Sequence, residues 1–163
     1  MNGDQQKAFS LVEWLATLAL LLTLVNLAMP SFASWMESRR QAIALDLLTQ
    51  YIQKTRAKAV LFGRPHRLCG SSDGEACDGD WAGYWLITTT GSDPTLLRQQ
   101  QAPTKNLCWS GFSSDSIHFH PNGTSWKSNG TFSFCNANGP HRQLILNRQG
   151  RLKHDSGHKS KCC

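Results

Sequence analysis

Apolar and polar positions divide the chain into three stretches. From Trp14 to Met36 no charged residue interrupts 23 positions. As a helix this run extends about 35 Å at ~1.5 Å per residue, enough to cross a hydrocarbon layer of roughly 30 Å. Further on, Ala44, Leu48, Tyr51/Ile52, Thr55, Ala59 and Phe62 recur at spacings of three and four, the stripe of an amphipathic helix that packs on its own sheet. Gly63-Arg64-Pro65 closes that helix. Beyond Pro65 the period changes to two, in short runs over His66–Cys69, Trp81–Thr88, Leu96–Gln101, Asn106–Trp109, Ser116–His120, Thr131–Cys135 and Gln143–Asn147. Turn clusters such as Asp78-Gly79, Gly91-Ser92-Asp93-Pro94, Pro121-Asn122-Gly123, Ser128-Asn129-Gly130 and Asn138-Gly139-Pro140 separate them. A long helix followed by six or seven short antiparallel strands makes the fold class α+β. No internal repeat or low-complexity linker is visible.

The start of the chain does not read as a secretory signal peptide. Met1–Ala8 is polar with only Lys7 basic, the apolar run is too long for a signal core, and no A-x-A site follows it. The apolar segment is therefore expected to stay in the mature protein. One acid, Glu13, stands at its edge. A carboxylate near the middle of a membrane helix costs about 2.5–3.5 kcal/mol on insertion scales. Glu13 is either a boundary residue reaching the headgroups or a functional group.

Charge and cysteine usage narrow the picture. The formal charge is +6 and the isoelectric point near 9.2. Residues 141–163 hold six Lys/Arg (Arg142, Arg148, Arg151, Lys153, Lys159, Lys161) against the single acid Asp155. The stretch from Asp73 to Asp93 is acidic instead. Such a basic end suits an acidic partner, phosphate backbone or anionic lipid. Six cysteines without a CxxC pair point to structural disulfides in an oxidising compartment rather than to a metal site. Cys69–Cys77 is the expected local pair; Cys135 is expected to take Cys162 or Cys163, and Cys108 the other. Among the histidines (His66, His118, His120, His141, His154, His158), His118 and His120 share a strand face, but no acid or thiol nearby completes a metal set. No phosphate loop, HExxH, GxSxG or paired carboxylates appear. The chain is expected to be no enzyme and to need no cofactor or metal.

Lys7-Ala8-Phe9-Ser10-Leu11-Val12-Glu13, followed by an apolar helix containing Pro30, resembles the leader and first helix of type IV pilins and type II secretion pseudopilins. The resemblance implies that a prepilin peptidase cuts between Ala8 and Phe9 and N-methylates Phe9, although this chain has Ala8 where the family usually has Gly. It also implies that Glu13 neutralises the freed amino terminus of a neighbouring subunit. Two buried charges satisfied only at one axial stagger act as a register device. Pro30 matches the helix-loosening proline of many pilins and is expected to kink or melt the helix.

Cys69…Cys77…Trp81-Ala82-Gly83-Tyr84-Trp85, Ile117-His118-Phe119-His120-Pro121-Asn122-Gly123, Gly130-Thr131-Phe132-Ser133-Phe134-Cys135 and Gly150-Arg151 together look like the GspH/FimT/FimU branch of minor pilins and pseudopilins. By that resemblance residues 1–8 are the leader, 9–36 the transmembrane and filament-core helix, and 37–163 a periplasmic domain, with helix 37–63 and β domain 66–163. The protein would be anchored in the inner membrane by a single pass and become surface-exposed in a pilus, with other minor and major pilins or pseudopilins as partners. A DNA-binding subgroup used in natural transformation ends in Gly-Arg-x-Arg. This chain has Gly150-Arg151-Leu152-Lys153, in which Lys153 keeps the charge without the bidentate fork. Arg142, Arg148, Arg151, Lys153, Lys159 and Lys161 are then the expected contacts to double-stranded DNA, with Trp126 and Lys127 adding stacking. Two readings stay open: a DNA-binding minor pilin at or near the pilus tip, and a purely structural subunit for pilus priming or type II secretion.

Overall fold

The computed structural model describes residues 11–125, 127–134 and 141–157. The chain forms two compact units that divide between Glu37 and Ser38. Helix α1 runs over Leu11–Leu61, and eight strands follow: β1 (His66–Ser71), β2 (Tyr84–Thr89), β3 (Leu96–Gln101), β4 (Leu107–Gly111), β5 (Ser116–Phe119), β6 (Gly130–Phe134), β7 (His141–Leu146) and β8 (Leu152–Gly157).

Within the first unit, the large apolar side chains from Leu11 to Met36 are all exposed. The 18-residue window that qualifies this helix as a membrane span has a hydropathy of 1.9 and none of it is buried. Such a surface is stable in lipid or against other apolar helices, not in water. Pro30 lies inside α1 without ending it, so of the two expected outcomes, a kink or a melted segment, the helix is not melted there.

In the second unit, α1 buries Gln41, Ala44, Leu45, Leu48, Tyr51, Ile52, Thr55 and Ala59. This is the expected stripe with one correction, because Phe62 is 60% exposed. The helix ends at Leu61, and Gly63 takes the left-handed φ of 60° that closes many helices. Phe62 therefore falls off the end of the face its spacing had assigned it to.

Two antiparallel sheets complete the unit, one of order β3-β2-β1-β5 and one of order β4-β6-β7-β8. In the first sheet the register aligns Leu68 with Ile87 and Ile117. In the second it aligns Trp109 with Phe132 and Leu144. These rows and the helix stripe join in one apolar core that includes Trp81, Trp85, Phe119, Phe134 and Leu146. Strand β8 exceeds the expected six or seven. Its sequence, Leu152-Lys153-His154-Asp155, offers one apolar side chain, so it reads as a charged terminus. Pairing with β7 makes it a sheet edge, where polar residues are favoured.

The Cys69–Cys77 disulfide is present, with Cα atoms 5.6 Å apart. Gly74 in the loop it closes approaches Tyr84 and Gln99. These lie on the side of the sheet away from Leu68, so the loop covers that side and buries Cys69 and Leu86. Cys108 is also disulfide-bonded; Cys135, Cys162 and Cys163 lie outside the described residues.

Candidate nucleic-acid interface

The connection between β7 and β8, Asn147–Arg151, is held by its own first residue. Asn147 Oδ1 accepts hydrogen bonds from the amides of Gln149 (3.0 Å) and Arg151 (2.9 Å). An Asn side chain imitates a backbone turn in this way. The Asn147 amide donates to the Arg151 carbonyl (3.1 Å), and the Gly150 amide to the Asn147 carbonyl (3.0 Å).

Two neighbouring segments fix the turn from outside. Ser125 donates from its amide to the Arg148 carbonyl (3.0 Å) and from its hydroxyl to the Asn147 carbonyl (2.7 Å). From α1, Arg56 Nη1 donates to the Gly150 carbonyl at 3.2 Å. Gly123 and Gly150, with φ of 77° and 74°, press against each other beside Arg56. A Cβ on Gly150 would come within 2.5 Å of the Gly123 carbonyl oxygen. The Pro121-Asn122-Gly123 and Gly150-Arg151 motifs, far apart in sequence, thus form one backbone junction.

On this platform Arg148, Arg151 and Lys153 are exposed. No hydrogen bond or ion pair to another described residue occupies their charged groups. Lys153 stands on β8 opposite Ile145. Arg142 does not belong with them. It is partly buried at the far end of β7, about 14 Å of strand from Leu146 at ~3.4 Å per residue, on the sheet side shared with Leu144 and Leu146. Lys159, Lys161 and Trp126 lie outside the described residues, as do Ala8 and Phe9.

Beside the turn is a surface pocket of about 210 Å³ lined by Phe112, Lys127, Asn129 and Arg148. Phe112 is 74% exposed, and its amide donates to the Asn129 carbonyl at 3.0 Å. Lys127 has the left-handed φ of 64°, unusual for a side-chain-bearing residue. Phe112 and Arg56 were not singled out by the sequence reading. The available signal was an aromatic set among Gly111, Ser113 and Ser114, where a solvated turn has no use for one.

His118 does not add to the cationic surface. Burial, then the Arg67 and His120 charges, hold its pKa below the ordinary histidine value against the pull of Asp115. Its Nε2 lies 3.1 Å from Ser116 Oγ. Among the described residues no group of three or more His, Cys, Asp or Glu side chains gathers as a metal set.

The sequence-family model described as "Type II transport protein GspH" matches residues 44–150, well over half of the chain. No curated relative matches in sequence. Among solved structures, two crystal forms of the Pseudomonas aeruginosa type IV minor pilin FimU are similar. One has TM-score 0.60 at 22% identity, covering 74% of this chain and 92% of that one. The other has TM-score 0.56 at 22% identity, covering 70% and 91%. A match over most of both chains at such identity carries the architecture and nothing finer. The family model establishes that this chain belongs to the GspH family, and the structural match, with the long helix and the paired antiparallel sheets, that it has the type IV pilin fold.

Proposed function

We propose that the protein is a minor subunit of a type IV pilus, at or near the tip, whose β7–β8 turn holds double-stranded DNA without regard to sequence. The observation that carries the reading is the set of exposed cations, Arg148, Arg151 and Lys153, unpaired among the described residues, on a turn locked by Asn147, Ser125 and Arg56. Rigid placement lowers the ordering cost that phosphate contacts otherwise carry, and such contacts are independent of base sequence.

Anchoring follows from the first unit. The exposed apolar surface of Leu11–Met36 suits the inner membrane, with the second unit on the periplasmic side, and then the core of a filament shared with other pilins. In this scheme the prepilin peptidase cleaves between Ala8 and Phe9 and methylates Phe9, Glu13 meets a neighbour's amino terminus, and Pro30 loosens the packing of the helix. Incorporation of Glu13→Leu into fibres as efficiently as the parent would contradict that role.

The DNA reading is tested on the full chain in detergent by retardation of duplex DNA over a salt series. Replacing Arg151 and Lys153 by Ala is expected to weaken binding and to flatten the log–log salt slope by about 2, near 0.9 per lost phosphate contact. Stability should change by less than about 0.5 kcal/mol, because both side chains are exposed. An unchanged slope removes these residues from the interface. The family's description as a type II transport protein favours a second reading, a pseudopilin indifferent to DNA, which the parent protein supports if it retards no duplex at low salt.

A further inference from the structure

We infer that the pocket of Phe112, Lys127, Asn129 and Arg148 receives a single unstacked nucleobase, so that the protein engages single-stranded ends as well as duplex; this rests on the DNA reading above. Three observations converge. First, the pocket's volume of about 210 Å³ falls below the roughly 300–1,000 Å³ of sites that enclose a whole small ligand. It suits one planar ring whose remaining chain lies outside.

Second, the wall is an exposed phenyl ring flanked by two cationic side chains and an amide. A π face takes any base by stacking, and the Arg148 guanidinium suits the adjoining phosphate. An acidic peptide would use the cations but has no use for the ring.

Third, the pocket is continuous with the proposed interface, since Arg148 lines it and also belongs to the turn that carries Arg151. The backbone that bears the ring is tied to the same loop, because the Phe112 amide donates to the Asn129 carbonyl. A strand running over Arg151 and Lys153 can therefore lay one base on Phe112 without rearrangement of the turn.

The experiment compares the full chain in detergent with Phe112→Ala, Phe112→Trp and the Arg151→Ala/Lys153→Ala variant. The probes are a fluorescent thymidine oligonucleotide and a blunt duplex, read by anisotropy at low salt. Phe112→Ala is expected to weaken the single strand about tenfold, the loss of one stacked base, while duplex binding stays unchanged and Phe112→Trp restores the parent value. The Arg151/Lys153 variant should weaken both probes. Equal single-strand affinity for parent and Phe112→Ala overturns the pocket while leaving the DNA reading intact. Polyglutamate displacing the oligonucleotide equally well from parent and Phe112→Ala also overturns it. Failure of the parent to bind either probe overturns pocket and DNA reading together, and the duplex arm tells these cases apart.

Discussion

Two tight loops of the same unit bear opposite charge and use it in opposite ways. In the disulfide-closed loop, Asp73 Oδ1 accepts hydrogen bonds from the amides of Glu75 (2.8 Å) and Ala76 (3.1 Å) and from the Ser71 hydroxyl (2.9 Å). Asp78 accepts from the amide and hydroxyl of Ser72 and from the Asp80 amide, and Asp80 accepts from the Ala82 amide. In the β7–β8 turn the same task falls to the neutral Asn147, and the neighbouring Arg148, Arg151 and Lys153 remain outside the network.

Turns of this kind expose amide N–H groups, so they recruit acceptors. A carboxylate can serve; an ammonium or guanidinium, having only donors, cannot. Asp73, Asp78 and Asp80 are absorbed into structure, whereas Arg148, Arg151 and Lys153 take no part in holding their turn. Arg56 is the exception that fits the rule, because it finds a free carbonyl at Gly150 and becomes structural. Formal charge therefore overstates the acidic loop as a surface and understates the basic turn.

The largest expected effect comes from attacking the basic turn's backbone rather than its charge. Gly150→Ala forces a side chain into a left-handed conformation and against the Gly123 carbonyl at 2.5 Å. A loss of about 2–4 kcal/mol is expected from the sum of left-handed strain and overpacking, together with loss of DNA retardation at temperatures where the protein is still folded. Thermal unfolding and retardation on the same sample check both. Parent-like stability would mean that the junction of Gly123, Gly150 and Arg56 is not rigid.

The matching attack on the acidic loop is Cys69→Ser with Cys77→Ser. For a loop this short the chain-entropy model gives about 2–3 kcal/mol. Denaturant unfolding should show that loss, while DNA retardation is expected to match the parent. A drop in DNA affinity equal to that of the Arg151/Lys153 variant would show the loops to be coupled and end the division of labour between them.

The sequence disclosed these regions unequally, for physical reasons. The apolar run of α1, its buried stripe, strand β3 and the Cys69–Cys77 bridge were legible because each follows from local spacing. Strand β8 was not, since Leu152-Lys153-His154-Asp155 offers a single apolar side chain and no alternation. Arg142 was grouped with the other cations by proximity in sequence, whereas a strand alternates sides and carries it away from the turn. Arg56 and Phe112 were invisible as site residues because their partners, Gly150 and Asn129, come from other elements. Gly123 and Gly150 were legible as punctuation but not as a pair.

The smallest effect is the sharpest test of the comparison. Hydrogen bonds from the Glu75 and Ala76 amides, then from the Ser71 hydroxyl, hold Asp73 below the ordinary carboxylate value of 3.8 against a minor desolvation penalty. A depressed folded pKa means that the carboxylate stabilises the loop above the unfolded value near 4, and that this contribution is lost as pH falls through the folded one. In an acid titration followed by NMR, the Glu75 and Ala76 amide signals should move together with a midpoint below 3.8. Asp73→Asn should abolish that titration while the signals of Gln149 and Arg151, bonded to neutral Asn147, stay flat in both proteins. Because Asp73 is solvent-exposed, the change in global stability should be slight, and the local midpoint carries the information. A midpoint at or above the ordinary value would make Asp73 a solvated charge like Arg151, and the two loops would then differ in sign alone.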